Sequence, residues 1–245
     1  MIRGIYHSAA GMLPRYHKLT NISNNLANAS TTSFKADRRF FSFTLNNELT
    51  QPGIDGQAKQ VERLNEGLYT DWEQGAISPT GRKTDFALKG RGFFVVQDDE
   101  GQTFLTRDGR FHINDNRELV ASSGYKVLDE SMTPVRIPDG LFFADDTGVI
   151  HVDGQVTTKF MIADVENPDT ITKVGDNLYR KDTDDILNAV ESTTVHQEHV
   201  EASNVNVVQE MVEMIALNRN YDTSQRAMLS QDSTLGRLID RVPRF

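Results

Sequence analysis

The sequence contains no cysteine, so disulfide bonds, thiolate nucleophiles and cysteine metal sites are excluded. It also lacks an excess of positive charge: 26 basic and 35 acidic side chains give a formal net charge of −9, which argues against nucleic-acid binding. The chain has no long apolar run, so we expect neither a secretory signal nor membrane insertion. Only 38% of its 245 residues are apolar, which favours an elongated shape or surfaces completed by partners.

The first 30 residues do carry a regular apolar pattern. Alternating steps of four and three join Ile5, Ala9, Met12, Tyr16, Leu19, Ser23 and Leu26. This spacing predicts a helix with a heptad seam, meaning the row of mostly apolar residues that a partner helix would cover. Pro14 removes one helical hydrogen bond, so we expect a kink or a local break there.

The C-terminal part of the chain has a matching pattern. Its apolar seam positions are Val207, Met211, Met214, Tyr221, Met228 and Leu235. Asn204 is a good candidate for the N-cap, because its side chain can accept hydrogen bonds from the first free amides. A helix from this residue to Val242 would be about 55 Å long at about 1.5 Å per residue. Such a helix needs a partner, and the N-terminal helix is the simplest one.

The middle of the chain changes to short apolar runs separated by turn signals. Turn signals at Asp98–Gly101, Arg107–Gly109 and 114–116 have the spacing of β-hairpins. The stretch therefore predicts an antiparallel β domain.

The predicted fold class is α+β, with long terminal helices paired as a coiled coil and a central antiparallel all-β domain. The predicted boundaries are 1–30 and 204–245 for the helical domain, 31–74 for an extended connector, 75–185 for the β domain, and 186–203 for a return connector. Pro52, Gly53 and Gly56 are the basis for the first connector.

The segment NNLANASTTSFK raises a question of its own, because asparagine and threonine are poor helix formers. The four residues Asn21, Asn24, Asn25 and Asn28 follow the spacing i, i+3, i+4, i+7 and so share one helix face. A stripe of amides suits a helix surrounded by other helices, where polar groups pair sideways. A frayed helix end that leads into a Ser/Thr loop is the alternative. The long C-terminal seam favours assembly.

Few residues here suggest catalysis or cofactor binding. His196 and His199 could bind a metal with Glu198 or Glu201, but no third ligand is placed, and a solvated helix start is the favoured interpretation. The segment GRGFFV at Gly90 lacks the third glycine of a dinucleotide-binding fingerprint. We therefore expect no enzymatic activity, no cofactor and no metal site.

Three sequence blocks resemble the flagellar rod and hook family of bacterial axial proteins. SNNLANASTTSFK is similar to the N-terminal signature of that family, and VEASNVNVVQEMVEMIALNRNYDTSQRAM to its C-terminal signature. Between them, DFALKGRGFFVV and FLTRDGRF resemble the core β motifs of the family. One departure is Ser33, where the family usually has a glycine, which would permit a left-handed backbone.

The resemblance implies a structural subunit of the basal-body rod, with the proximal type slightly favoured over the distal type. Its implied partners are copies of itself, other rod subunits, hook-side and motor-side axial proteins, and the flagellar export apparatus. The implied location is the rod where it crosses the cell envelope, reached without a cleaved signal peptide. The asparagine stripe and the two seams would then serve assembly. A soluble β-domain binding module with a helical oligomerisation stalk is the alternative.

Overall fold

The computed structural model describes residues 2–46, 61–165, 170–181, 188–189 and 193–241. The helices of this described part are α1 (Ile2–Ala27) and α2 (Val207–Arg241). Its strands are β1 (Asp37–Asn46), β2 (Val61–Thr70), β3 (Ile77–Pro79), β4 (Phe86–Lys89), β5 (Phe93–Gln97), β6 (Thr103–Thr106), β7 (Phe111–Ile113), β8 (Leu119–Ala121), β9 (Lys126–Val127), β10 (Phe142–Ala144), β11 (Val149–Val152), β12 (Gln155–Lys159), β13 (Ile162–Asp164), β14 (Ile171–Gly175), β15 (Leu178–Lys181), β16 (Asn188–Ala189), β17 (Thr194–Gln197) and β18 (His199–Glu201).

The chain forms two compact units. The terminal unit comprises Met1–Ala27, Asp37–Thr70 and Asn206–Phe245, and the β unit comprises Asn28–Ala36 and Asp71–Val205. The terminal unit contains both helices and the antiparallel β1–β2 hairpin, whose register runs from Asp37 opposite Thr70 to Asn46 opposite Val61. This hairpin lies within the span predicted as a connector, parts of which fall outside the described residues. The domain boundaries drawn from the sequence stay a prediction.

The β unit is built from antiparallel strands, in keeping with the α+β class predicted from the sequence. Its largest sheet has the strand order β14-β15-β6-β5-β9-β8-β7, with β13 also pairing with β5. Smaller sheets join β10-β11-β12, β17-β4 and β18-β3.

Strand β5 explains why the sequence FFVV is apolar at every position. Successive side chains of a strand point to opposite faces, so a strand buried on both faces has no polar positions. Phe94 and Val96 pack into the main core, and Phe93 and Val95 pack into a second cluster with Tyr179. Both cores are rich in edge-to-face aromatic contacts, which favour specific packing.

Two of the three predicted hairpin turns are present. Asp98–Gly101 joins β5 to β6, and residues 114–117 join β7 to β8. The turn signal at Arg107–Gly109 does not make a hairpin, because β6 pairs with β5 and β15, whereas β7 pairs with β8. Instead Gly109 passes so close to β4 that its carbonyl accepts a hydrogen bond from the amide of Phe86 at 2.9 Å.

The predicted coiled coil is wrong. The two helices of the described part do not form a long coiled-coil pair, because a coiled coil buries its seam residues as knobs in the partner helix. The α2 seam residues Val207, Met211 and Tyr221 are instead 37%, 47% and 37% exposed. A heptad pattern in the sequence records apolar positions on one helix face, but it does not specify which surface covers them.

The α1 helix continues through Pro14, as expected, without a local break. The kink expected at Pro14 stays a prediction, whereas the predicted N-cap of α2 is wrong. The α2 helix begins at Val207, so its N-cap is Asn206 and not Asn204. The Asn206 side-chain oxygen accepts a hydrogen bond from the amide of Gln209 at 3.1 Å, as an N-cap residue does.

Candidate functional site

Several polar contacts join α1 to α2. The guanidinium of Arg15 donates to the hydroxyl of Ser224 at 2.5 Å, and it also donates to the carbonyl of Asn220 at 3.3 Å. One turn further along α1, Lys18 forms an ion pair with Glu213. Partly exposed pairs of this kind contribute little stability, so they fix the register of the two helices more than they hold them together.

The predicted α1 seam residues Met12, Leu19 and Leu26 are half-buried. On α2, Met214 and Met228 are half-buried, whereas Val207, Met211 and Tyr221 are exposed. The side chains of Ile5 and Leu235 lie outside the described residues. The structure therefore does not gather the seam residues into one buried layer within the subunit, and their role in assembly stays a prediction.

Asn25 is the one buried member of the asparagine stripe. Its amide nitrogen donates to the carbonyl of Asp37 at 3.0 Å, and its side-chain oxygen accepts from the amide of Asp37 at 3.0 Å. Because Asp37 is the first residue of β1, these two hydrogen bonds hold the start of the β1–β2 hairpin against α1. Asn25 thus has a role inside its own chain.

The other three asparagines differ in exposure. Asn24 is exposed, while Asn21 and Asn28 are half-buried. The side-chain oxygen of Asn28 accepts from the hydroxyl of Thr31 at 3.3 Å. The prediction that the stripe contacts neighbouring subunits stays open for these residues.

The first turns of α2 present an exposed apolar surface, here named the α2 apolar stripe. It consists of Val208, Met211, Val212 and Ile215, which are 72%, 47%, 63% and 54% exposed. Their spacing of i, i+3, i+4, i+7 places them on one helix face. Of these four residues, only Met211 belongs to the heptad seam predicted from the sequence, because that seam follows a single register. The spacing i, i+3, i+4, i+7 counted from Val208, one residue after the start of the seam at Val207, identifies the other three.

The opposite side of α2 is where the helix is buried. Glu210 is only 3% exposed, and it approaches Arg38 of β1 with 3.6 Å between Oε1 and the guanidinium. Burial raises the pKa of the Glu210 carboxyl, and the nearby charge of Arg38 opposes this rise. The burial of Glu210 was not predicted from the sequence, because a glutamate in a first helical turn is usually exposed and stabilised there by the helix dipole.

A buried ion network lies in the β unit, and its members come from distant parts of the chain. Lys35, at the end of the N-terminal signature, lies 2.6 Å from Glu201 in the C-terminal signature. The second oxygen of Glu201 lies 3.7 Å from the guanidinium of Arg107. Burial lowers the pKa of both Lys35 and Arg107, and the charge of Glu201 opposes this in each case. The cations need this carboxylate to remain charged inside the protein.

Further signature residues surround this network. Asn204 bridges three segments: its oxygen accepts from the amide of Ala36 at 2.8 Å, and its nitrogen donates to the carbonyls of Asp71 and Glu73. Ser33 has a left-handed backbone with φ of 57°, as the glycine of the resembled family would allow. Its hydroxyl donates to the carbonyl of Arg107 at 2.7 Å, which offsets the cost of that backbone.

His196 and His199 lie on β17 and β18, so the predicted helix start at this place is wrong. Their ring centroids are 6.1 Å apart, and both rings line a cavity of about 560 Å³ with Lys89. Among the described residues, no group of three or more histidine, cysteine, aspartate or glutamate side chains could hold a metal ion. No helix in that part of the chain is long and apolar enough to cross a membrane.

The sequence is similar to known proteins over almost its whole length. Residues 87–158 match the family described as flagellar hook protein FlgE/F/G D1 domain, and residues 196–241 match the flagellar basal body rod FlgEFG protein C-terminal family. The flagellar basal-body rod protein FlgG of Borreliella burgdorferi is 30% identical, with 96% of this chain and 97% of that relative covered. The flagellar basal-body rod protein FlgF of Caulobacter vibrioides is also 30% identical, with 93% of each covered. FlgG of Bacillus subtilis is 28% identical, with 98% and 99% covered.

Proposed function

Since this chain belongs to the family of flagellar basal-body rod proteins, we propose that its α2 apolar stripe is a contact surface between subunits of the rod. The chain is a structural subunit of the flagellar basal body and not an enzyme, as the sequence predicted. The proximal type, which the sequence resemblance slightly favoured, is part of this proposal. The alternative of a soluble binding module gains no support from relatives that are named rod proteins.

Rod proteins assemble with other flagellar axial proteins. We propose that the specific partners are further copies of this chain, other rod subunits, and the axial proteins on the hook side and the motor side. We also propose delivery by the flagellar export apparatus.

The single observation that carries the assembly proposal is the exposure of the α2 apolar stripe. Single exposed apolar residues are common on protein surfaces, but four on one helix face form a continuous patch. Fully burying an aliphatic side chain contributes about 1.5–3 kcal/mol, so covering these half-exposed residues gives several kcal/mol per contact. The assembly residues that we propose therefore include Val208, Val212 and Ile215 in addition to the heptad seams.

The test replaces two stripe residues in the full-length chain. Val212→Asn combined with Ile215→Asn should leave the thermal unfolding midpoint close to that of the wild type, because both side chains already face solvent. The same double variant should be absent from basal bodies isolated from a strain that lacks the wild-type chain, and should not restore swimming.

A matched control keeps the surface apolar. Val212→Ile combined with Ile215→Leu should restore swimming and enter basal bodies in normal amount. If the asparagine variant does so as well, the α2 apolar stripe is not an assembly contact.

A further inference from the structure

A small cavity of about 100 Å³ lies inside the terminal unit, where α1, α2 and the β1–β2 hairpin meet. A volume of this size can hold a few water molecules when polar groups line it. Glu210 and Asn21 both line it, and the Oε2 atom of Glu210 and the Nδ2 atom of Asn21 are buried with no hydrogen-bond partner among the described residues. One is an acceptor and the other a donor, so water can satisfy both.

Glu210 is unusual because it is an acid buried at the junction of three elements. Its carboxylate accepts a side-chain hydrogen bond from Asn25, and Arg38 lies 3.6 Å from Oε1, which is too far for a hydrogen bond. Among the described residues, Oε2 has no hydrogen-bond partner. A buried carboxylate with an incomplete set of partners costs free energy that the neutral acid avoids. Protonation would also turn the carboxyl into a hydrogen-bond donor toward cavity water.

The charged and titratable groups that surround Glu210 come from every neighbouring element. They are Lys18 of α1, Asp37, Arg38 and Arg39 of β1, Tyr69 of β2, and Glu213 of α2 itself. The three cations are matched by two carboxylates besides Glu210, and Lys18 is engaged with Glu213. This leaves Arg38 as the main counterion of Glu210.

We propose that Glu210 is a proton-responsive contact, and that its protonation tightens the packing of α2 against α1 and the β1–β2 hairpin. The proposal concerns the single chain and does not depend on assembly into a rod. It gives the terminal unit a packing that responds to mild acid.

The direction of the response follows from burial. Because burial raises the pKa of Glu210 in the folded unit above its ordinary value of 4.5, the folded unit binds a proton more readily than the unfolded chain. Packing is therefore weakest at pH values above the raised pKa. It becomes stronger as the pH falls from the raised pKa toward 4.5.

Hydrogen exchange of the full-length chain measures this directly. Protection of the α2 amides at residues 211–217, corrected for intrinsic exchange, should rise by up to about tenfold for each pH unit in the window below the raised pKa. Glu210→Gln mimics the neutral acid, so its protection should be constant with pH and should exceed that of the wild type above neutrality. Asp222→Asn, an exposed change on the same helix, should keep the wild-type response.

Two outcomes would overturn the proposal: a wild-type protection that does not change with pH, or a Glu210→Gln variant that keeps the wild-type response. A second measurement does not depend on any variant folding well. In a carbon NMR titration of the wild-type chain, the carboxyl carbon of Glu210 should titrate above the ordinary range of glutamate. Titration within or below that range would equally exclude the proposal.

Discussion

Lys35 and Glu201 form an ion pair that is sealed from solvent: Nζ and Oε1 are 2.6 Å apart, and the side chains are 2% and 0% exposed. The same oxygen accepts from the amide of Gly75 at 2.9 Å. The pair joins the two signature segments, which are 166 positions apart in the chain. The pair therefore holds the N-terminal and C-terminal parts of the β unit together in the folded chain.

Removing the charge of Glu201 should strongly destabilise the β unit. Glu201→Gln leaves Lys35 and Arg107 buried without their counterion, and breaking a buried pair costs about 3–5 kcal/mol. The measurement is urea unfolding followed by the fluorescence of Trp72, the single tryptophan, which packs against Phe93 and Tyr179 in this unit. Glu198→Gln, at an exposed position nearby, should leave the transition unchanged. Equal transitions for the two variants would contradict this role of the pair.

The helices and strands of this fold could be predicted from the sequence more readily than the contacts that they make with distant parts of the chain. The FFVV run at Phe93 identifies a strand buried on both faces from local pattern alone, and the α2 heptads identify a helix. Neither pattern carries information about long-range partners, which is why the coiled coil was predicted and the Lys35–Glu201 pair was missed. A lysine in a Ser/Thr segment has the local signature of an exposed side chain, and only the folded chain brings Glu201 beside it.

Ser33 gives a prediction that separates backbone strain from hydrogen bonding. Ser33→Ala keeps the left-handed backbone and loses the bond to the Arg107 carbonyl, so it should destabilise the β unit by about 1–3 kcal/mol. Ser33→Gly loses the same bond but removes the strain of about 1–2 kcal/mol, so it should be clearly milder. Thermal unfolding of both variants tests the order. If alanine is tolerated better than glycine, the left-handed conformation is not strained.

Gly109 is required by a close approach between chain segments. A Cβ atom at this position would lie 1.7 Å from the carbonyl oxygen of Phe86, a backbone atom that cannot move aside easily. Gly109→Ala should therefore destabilise the β unit by about 1–3 kcal/mol or more. Gly101→Ala is the matched control, since its Cβ meets no atom within 4 Å and carries only the cost of a φ of +86°. Comparable urea midpoints for the two variants would argue against a steric cause.

Glu118 should make the β unit sensitive to acid. The hydrogen bond from Asn114 and, to a smaller extent, the hydrogen bond from Arg136 lower the pKa of the Glu118 carboxyl below its ordinary value of 4.5. The carboxylate therefore stabilises the fold above pH 4.5, and this contribution is lost as the pH falls through the lowered pKa. Glu118→Gln should be less stable than the wild type near neutrality, and the difference should shrink in acid. A difference in unfolding free energy that stays constant with pH would show that Glu118 does not act through its charge.

The asparagine stripe should divide into residues that serve folding and residues that serve assembly. Asn25 exchanges two hydrogen bonds with the backbone of the half-buried Asp37, and Asn25→Leu removes both of them. Each lost hydrogen bond costs about 0.5–1.5 kcal/mol, and the terminal unit should be destabilised accordingly. Hydrogen exchange at the α1 and β1 amides measures this loss.

Asn24 is exposed on the same helix and Asn28 is half-buried just beyond its end, which leaves both accessible to neighbouring subunits. Asn24→Leu combined with Asn28→Leu should leave the β unit folded and yet abolish incorporation into the rod. Each lost contact recurs in every subunit, so even about 1 kcal/mol per contact has a large effect on a polymer. Complementation of a deletion strain tests this, with secretion of the variant measured separately from swimming. Normal swimming of the double variant would mean that NNLANAS only ends a helix, and that the contacts between subunits lie elsewhere on the terminal unit.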